Sequence, residues 1–445
     1  MKTFIFFAII VFFSVTTDSK SDTLWSASYS SIGEMSMDKA MFVVTDSKDN
    51  VIITGTTSEK GINDNITTIK YDKNGKLVWI ANYNGPGNYH DRPFGLTLDK
   101  NDNILITGGS KGDKGTATDF ITLKYSPEGN EIYALRFASE GGLTDEAKSI
   151  MADDLGNVYV TGSVAHIATS NSGEDWLTIK YDTLGNVIWS VSFDENISND
   201  GACKLTLDKA GNVYVTGQAN SPASHIVTIK YDSSGNFMWK AMYDGESNSA
   251  DEPTDIKTDN EGNVYVSGHS NEKNLDWLLI KYDNNGNQLW KTNFNGEANS
   301  KDESYKMLLD GKGNIYLAGV TMPKKNKTHR CVIKFDNTGN ILWKNVSENP
   351  ISKNSPKIDM CFDESGNILV LGTSVFIDKK GITDMVADII SPEGLTKGQV
   401  YYDAGVNTIP IGNAIVTDSN GDIMITGYKF SLTGVMDYLT VKLKK

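Results

Sequence analysis

The sequence is poor in the groups that carry most nucleophilic and metal chemistry. Its 445 residues include three cysteines and five histidines. The histidines His90, His166, His225, His269 and His329 are scattered, and no His/Cys cluster has metal-ligand spacing. His225 and His329 fall where other repeats place Asp175, Asp276 or Asp437, and read as surface turn residues. A Gly-rich phosphate loop is missing as well. The expectation is therefore no catalytic residue, no metal and no cofactor. Basic excess is also lacking: Lys and Arg number 42 against 56 Asp and Glu, a net charge of -14. Without a basic patch or stripe, nucleic acid is not an expected partner. Without a polybasic segment, neither is an anionic membrane surface. The acidic balance favours solubility.

Long apolar runs are absent except at one place. Lys2 precedes the apolar stretch Phe4 to Phe13, and polar residues follow from Thr16 to Lys20. That run is too short to span a bilayer and has the layout of a secretory signal peptide. Residues 1–20 are read as that signal, cut somewhere between Val15 and Asp22, and no Cys is there to take a lipid. The mature chain is then expected outside the cytoplasm, secreted, periplasmic or on the cell surface, without inserting into the membrane. An oxidising compartment permits disulfides. Cys203, Cys331 and Cys361 do not recur at equivalent repeat positions, so they read first as buried small hydrophobes and second as one bridge plus a free thiol.

What is present is repetition. A Thr-Gly step or its equivalent ends a strand at Gly55, Gly108, Gly162, Gly217, Gly268, Gly319, Gly372 and Gly427, which by subtraction lie 51 to 55 residues apart. A strand-filled period of that length means a propeller or a solenoid. Residues 200–244 show one unit. Strand a is Cys203 to Leu207, strand b Val213 to Gly217, strand c His225 to Tyr231 and strand d Phe237 to Met242. Strands a and b, and c and d, are joined by the same turn: Asp, two variable residues, Gly, Asn. The Asp bonds the backbone two residues on, and the Gly takes the positive φ of a hairpin bulge. The acidic residues are too few, and a closing bidentate Glu is missing, for calcium loops.

Strand c carries bulky residues on both faces, as in Trp176, Leu177, Thr178, Ile179, Lys180 and Tyr181, so both faces are expected to be covered. Its Lys recurs at Lys70, Lys124, Lys180, Lys230, Lys281, Lys334 and Lys442 and reads as a stem packed between blades. Strand d carries Trp25, Trp79, Trp189, Trp239, Trp290 and Trp343, with Tyr133 in another slot, and reads as an inter-blade wedge rather than a sugar-stacking platform. The seventh repeat drifts: Asp388, Ile389 and Ile390 replace Ile, Lys and Tyr, and Gly398 takes the Trp slot.

The chain is out of phase at its ends. Thr23 to Tyr29 is a strand d with nothing before it, and Asp437 to Leu443 is a strand c with nothing after it. Pairing them completes a blade and closes a ring, whereas a solenoid wants polar caps. The expected fold is all-β: residues 21–445 as a single eight-bladed β-propeller of four-stranded antiparallel blades.

The run Asn212 to Gly217, followed by Ile229-Lys-Tyr-Asp232 and the Gly235-Asn236 turn, resembles the bacterial β-propeller repeat of SBBP type. The resemblance covers the mature chain and implies a secreted or cell-surface bacterial protein, a family usually without an assigned activity. It is informative about fold and weak about function. Quinoprotein dehydrogenases share eight blades, but their adjacent Cys-Cys pair is missing here, and the sialidase Asp-box spacing is not reproduced.

For a site, two features stand out. The b-to-c connections, longest at Ser163 to Glu174 and most basic at Val320 to Thr328, read as variable loops on one face, where binding resides on rigid scaffolds. Asp38, Asp91, Asp145, Asp200, Asp251 and Asp302 each precede their a–b turn Asp by eight residues, with Ser355 and Pro410 in the last two slots. They read either as a broken carboxylate ring at a channel mouth or as caps of the d-to-a connections. The leading expectation is a monomeric, non-enzymatic scaffold binding an unidentified protein or glycan. A carboxylate-dependent lyase or hydrolase at the channel mouth, and a purely structural cell-envelope protein, are the alternatives.

Overall fold

A computed structural model describes residues 22–445 apart from 32–35, 60–62, 113–116, 141, 168–171, 195–199, 221–223, 246–249, 272–273, 298, 325–326, 352–356, 375–383, 406–407 and 432–433. The expected signal segment, residues 1–20, lies outside the described residues. The strands form eight antiparallel four-stranded sheets. Seven blades are continuous in sequence: 39–83, 91–137, 146–193, 201–243, 251–294, 303–350 and 359–402. The eighth takes three strands from 408–443 and its fourth, β1 (Thr23–Tyr29), from the opposite end of the chain. There β1 pairs antiparallel with β32 (Met436–Leu443), Trp25 opposite Lys442 and Ser26 opposite Val441.

Each blade follows from its two turns. In the a–b turn of blade 3, Asp153 Oδ1 accepts the Leu155 and Asn157 amides at 2.9 Å, and Oδ2 accepts Asn157 Nδ2 at 2.8 Å. The same bonds recur around Asp46, Asp208, Asp283 and Asp363. The turn carboxylates are thus absorbed by their own loops.

Every blade interface buries one apolar cluster, the interface between blades 8 and 1 included. Because strand c is covered on both faces, its side chains reach both neighbours. The strand-d Trp and strand-c Lys act together. Trp79 Nε1 and Lys70 Nζ both donate to the Pro127 carbonyl of the next blade's c–d turn, at 3.1 and 2.9 Å. Trp189 and Lys180 do so to Ser233, Trp239 and Lys230 to Asn284, Trp290 and Lys281 to Asn337, and Trp343 and Lys334 to Pro392. Trp25 and Lys442 form the same pair on Lys73 of blade 1 at 3.2 and 3.5 Å, so the closing interface is built like the others. The indoles are half-buried, each lying on the turn glycine of the next blade. At Gly75, with φ +84°, a β-carbon would stand 2.6 Å from the Trp25 ring.

The lysine heads find partners by two routes. Where strand b offers an aliphatic residue, Lys70, Lys124 and Lys442 reach Asp46, Asp99 and Asp418 of their own a–b turns at 2.8, 3.1 and 2.5 Å. Where strand b offers Tyr159, Tyr214, Tyr265 or Tyr316, the hydroxyl donates to that Asp, and Lys180, Lys230, Lys281 or Lys334 sits 4.9 to 5.0 Å above the ring.

In blade 7, Ile389 stands opposite Gly398, the positions of Lys and Trp elsewhere. Drift does not describe Asp388. It is buried, accepting Arg330 Nε at 2.7 Å and Gln399 Nε2 at 2.6 Å. Arg330, 1% exposed, takes the slot of Trp176 and Trp277 in blades 3 and 5. The two changes in adjacent blades compensate each other.

Candidate functional site

Strand a is innermost in every blade: β2 (Lys39–Thr45), β6 (Asp91–Leu98), β10 (Glu146–Ala152), β14 (Gly201–Leu207), β18 (Asp251–Thr258), β22 (Glu303–Leu309), β26 (Asp359–Phe362) and β30 (Thr408–Thr417). In seven of them the register slips at one point, setting aside Met41, Phe94, Lys148, Cys203, Thr254, Tyr305 and Asn413. Such bulges bend a strand and re-aim its side chains. Here Met41, Phe94, Lys148, Tyr305 and Asn413 face an axial channel of about 460 Å³ to which all eight blades contribute.

Around the channel the repeat formula breaks. The residue after the bulge is Phe42, Gly95 and Ser149 in blades 1 to 3, Lys204, Asp255 and Lys306 in blades 4 to 6, and Ala414 in blade 8, with Asp359 at the equivalent position of blade 7. At this position one side of the wall is neutral and the other alternates in charge. Lys306 Nζ lies 3.3 Å from Asp359 Oδ1, whose other oxygen accepts the Ile415 amide at 3.0 Å. Asp255 Oδ2 accepts the Met307 amide at 3.1 Å, and Lys257 is 3.5 Å from its Oδ1. Asp359, outweighing burial, holds the Lys306 ammonium well above the usual lysine range. Burial pushes Asp255 up, but Lys257, Lys306 and Lys204 prevail and hold it below the usual carboxylate range. Burial and neighbouring Lys39 lower Lys357. The lining holds the lysines Lys148, Lys204, Lys257, Lys306 and Lys357 against the two aspartates Asp255 and Asp359.

A second hollow of about 520 Å³ opens at the channel mouth, lined by Phe94, Lys148, Glu174, Cys203, Lys204 and Gln218 among others. It lies on the face of the b-to-c and d-to-a connections. Lys148 pairs with Glu146 and stands 4.4 Å above the Phe94 ring. Burial, then Glu146, raises the Glu174 carboxyl, against the pull of Lys148. Cys203 donates to the Pro253 carbonyl at 3.5 Å, and burial raises its pKa, which keeps it a thiol of low reactivity. All three cysteines are free.

The six ring aspartates sit at the start of strand a, and all are 0% exposed. Asp38 accepts the Ser31 amide at 2.5 Å and the Ser58 amide at 2.9 Å. Asp145 accepts those of Ser139 and Ala165 at 2.6 and 2.8 Å, and Asp302 those of Gly296 and Met322 at 2.6 and 3.2 Å. Asp91 and Asp251 accept the Gly85 and Gly245 amides at 2.7 and 2.8 Å. The Asp200 amide donates to Glu174 at 2.7 Å. The carboxylates of Asp38, Asp145 and Asp302 tie the d-to-a connection to the end of strand b, and none of the six is in the channel lining. Burial raises Asp38, Asp91 and Asp145. Pro410 is in β30, and Ser355 lies outside the described residues.

Two expectations need correction. The b-to-c connections are hairpins more than loops: strand pairing continues from Ser163 opposite Trp176 to Ile167 opposite Ser172, and Lys324 pairs with Lys327. The polar residues there are extended strand, which composition alone disguised as loop. His225 and His329 are not surface turn residues. Both are buried in strand c, with Nδ1 3.2 Å from Asp244 Oδ1 and 2.8 Å from the Ser347 carbonyl respectively. The channel residues went unnoticed although a signal existed: Lys204, Asp255, Lys306 and Asp359 share one phase of the repeat.

The chain is an eight-bladed β-propeller, and residues 245–276 match the SBBP family, described as a beta-propeller repeat. It is similar to an uncharacterised WD repeat-containing protein of Acanthamoeba polyphaga mimivirus, 29% identical over 168 residues. That match takes in 34% of this chain and spans 11% of the viral protein's length. Among solved structures, the WD40 domain of SCAP from fission yeast superposes with a TM-score of 0.51 at 7% identity, covering 95% of this chain and 98% of that one. A puromycin hydrolase gives 0.50 at 13% identity, covering 88% and 58%. These likenesses concern the fold alone.

Proposed function

We propose that this chain is an exported, non-enzymatic binding propeller that holds a glycan at the channel mouth between blades 2 and 4. One observation carries the reading: blades built to one formula abandon it where they line the channel and its mouth. A rigid ring with non-repeated side chains at one opening is the layout of a binding scaffold. A hollow of about 520 Å³ suits a few sugar units. A protein partner needs a flat area of roughly 800 Å² per side. The test is a glycan array probed with the chain from residue 22 onward. The expected result is retention of a glycan subset, lost in Lys148→Ala and Phe94→Ala variants that keep the wild-type melting temperature. No retention of any glycan, or retention unaffected by both variants, contradicts it.

The raised Glu174 carboxyl favours one second reading, an acid-assisted hydrolase or lyase at the same mouth. Turnover of a retained glycan, abolished in Glu174→Gln, would replace the first reading with this one. Export rests on Lys2 and the apolar run Phe4 to Phe13. N-terminal sequencing of the expressed protein is expected to start between residues 15 and 22, and an intact Met1 in a cytoplasmic fraction contradicts export.

A further inference from the structure

We propose that the axial channel binds a tetrahedral dianion: free phosphate or sulfate, or the phosphate monoester of a sugar. This deepens the binding reading by naming the charge of the ligand. The chain as a whole carries -14 and repels anions, yet its channel gathers five lysines and two aspartates. The two aspartates are engaged: Asp359 with Lys306 and the Ile415 amide, Asp255 with the Met307 amide and beside Lys257. Lys148 is paired with Glu146. That leaves Lys204 and Lys357, in the same lining, with no side-chain hydrogen bond or close ion pair among the described residues, Lys204 acting on Asp255 only at longer range.

Folding places both lysines on one channel. Lys204 and Lys357 are 153 positions apart by subtraction and line it from blades 4 and 7. The like charge of Lys39 also acts on Lys357. Two ammonium groups without close partners at one opening favour a bound anion. A channel with low-dielectric walls focuses their field at its axis. A dianion matches the two lysines left over once the internal pairs are made. Its tetrahedral oxygens accept from ammonium groups approaching from separate blades.

The experiment is calorimetric titration of sodium phosphate, and separately sodium sulfate, into the chain from residue 22 onward. Ionic strength is held constant with sodium chloride. The expected result is saturable binding of one dianion per chain, weakened at least tenfold in the Lys204→Ala, Lys357→Ala double variant and unchanged in Lys209→Ala, an exposed turn residue. Thermal melting of each variant confirms that it folds. A folded wild-type chain with no saturable heat beyond chloride overturns the proposal, as does binding indifferent to the double variant. A sugar 6-phosphate binding more tightly than inorganic phosphate assigns the group to an ester, and equal affinity assigns it to the free ion. Glycan retention without any phosphate or sulfate binding overturns this inference and leaves the binding reading standing. Sulfate binding without glycan retention does the reverse.

Discussion

At the residue scale, the informative positions are those where a repeated slot changes and a second residue answers. Arg330 replaces an aromatic in blade 6, and Asp388 replaces an aliphatic in blade 7, 2.7 Å apart. Removing one member of such a pair leaves a buried charge and costs about 3–5 kcal/mol, whereas replacing both with apolar groups is near neutral or better. Urea denaturation should therefore show Asp388→Ala strongly destabilised and Arg330→Met, Asp388→Ile close to wild type. A mild single variant would mean the pair is solvated. The turn aspartates give a pH signature. Burial pushes Asp153 up, but Asn157, Tyr159 and Leu155 together hold it below the usual carboxylate range. Its contribution is present above the unfolded pKa of about 3.9 and is lost as pH falls through the lower folded value. Asp153→Asn should lower the melting temperature at pH 7, with the gap closing below pH 4. A constant gap would place the effect in shape rather than charge.

At the element scale, the Asp-x-x-Gly-Asn turn fixes where strands a and b, and c and d, end, and the c–d glycine also receives the Trp of the preceding blade. Gly129 has φ +90°, and a β-carbon there would stand 2.7 Å from the Trp79 ring. Gly129→Ala should cost about 1–3 kcal/mol for the backbone alone. Gly398, whose β-carbon would meet nothing, serves as the control and should change little. Similar losses at both positions would remove the Trp-on-turn contact from the account. The strands and turns were readable because they rest on local chemistry repeated in nearly every blade. The strand-d Trp was readable as a wedge for the same reason. The b-to-c hairpins were not, because their strand tips are polar and resemble loop, and their pairing was visible only in the register. Buried His225 and His329 follow from the same error.

At the scale of the whole molecule, two properties arise that no blade has alone. One is the channel. Lys204, Asp255, Lys306 and Asp359 sit in four different blades, and no window of the sequence shows them together. The six buried aspartates were visible as a periodic set, yet periodicity says nothing of the backbone amides that the carboxylates of Asp38, Asp91, Asp145, Asp251 and Asp302 accept. The other property is closure. Tyr438 donates to the Thr67 carbonyl at 3.2 Å, Asn413 to Ala40 at 2.6 Å, and Ser419 to Asp49 at 2.6 and 2.9 Å, so blade 8 is sealed to blade 1 by side chains as well as by apolar packing. A ring without that seal presents two sheet edges to solvent.

The most direct test is native-state hydrogen exchange on the chain from residue 22 onward, compared with one beginning at Ser31 and lacking β1. The account predicts that removing β1 strips amide protection from β32, extends the loss to the interface of blades 8 and 1, and lowers the melting temperature of the whole domain. Unchanged protection in Tyr438 to Leu443 and an unchanged melting temperature would contradict it.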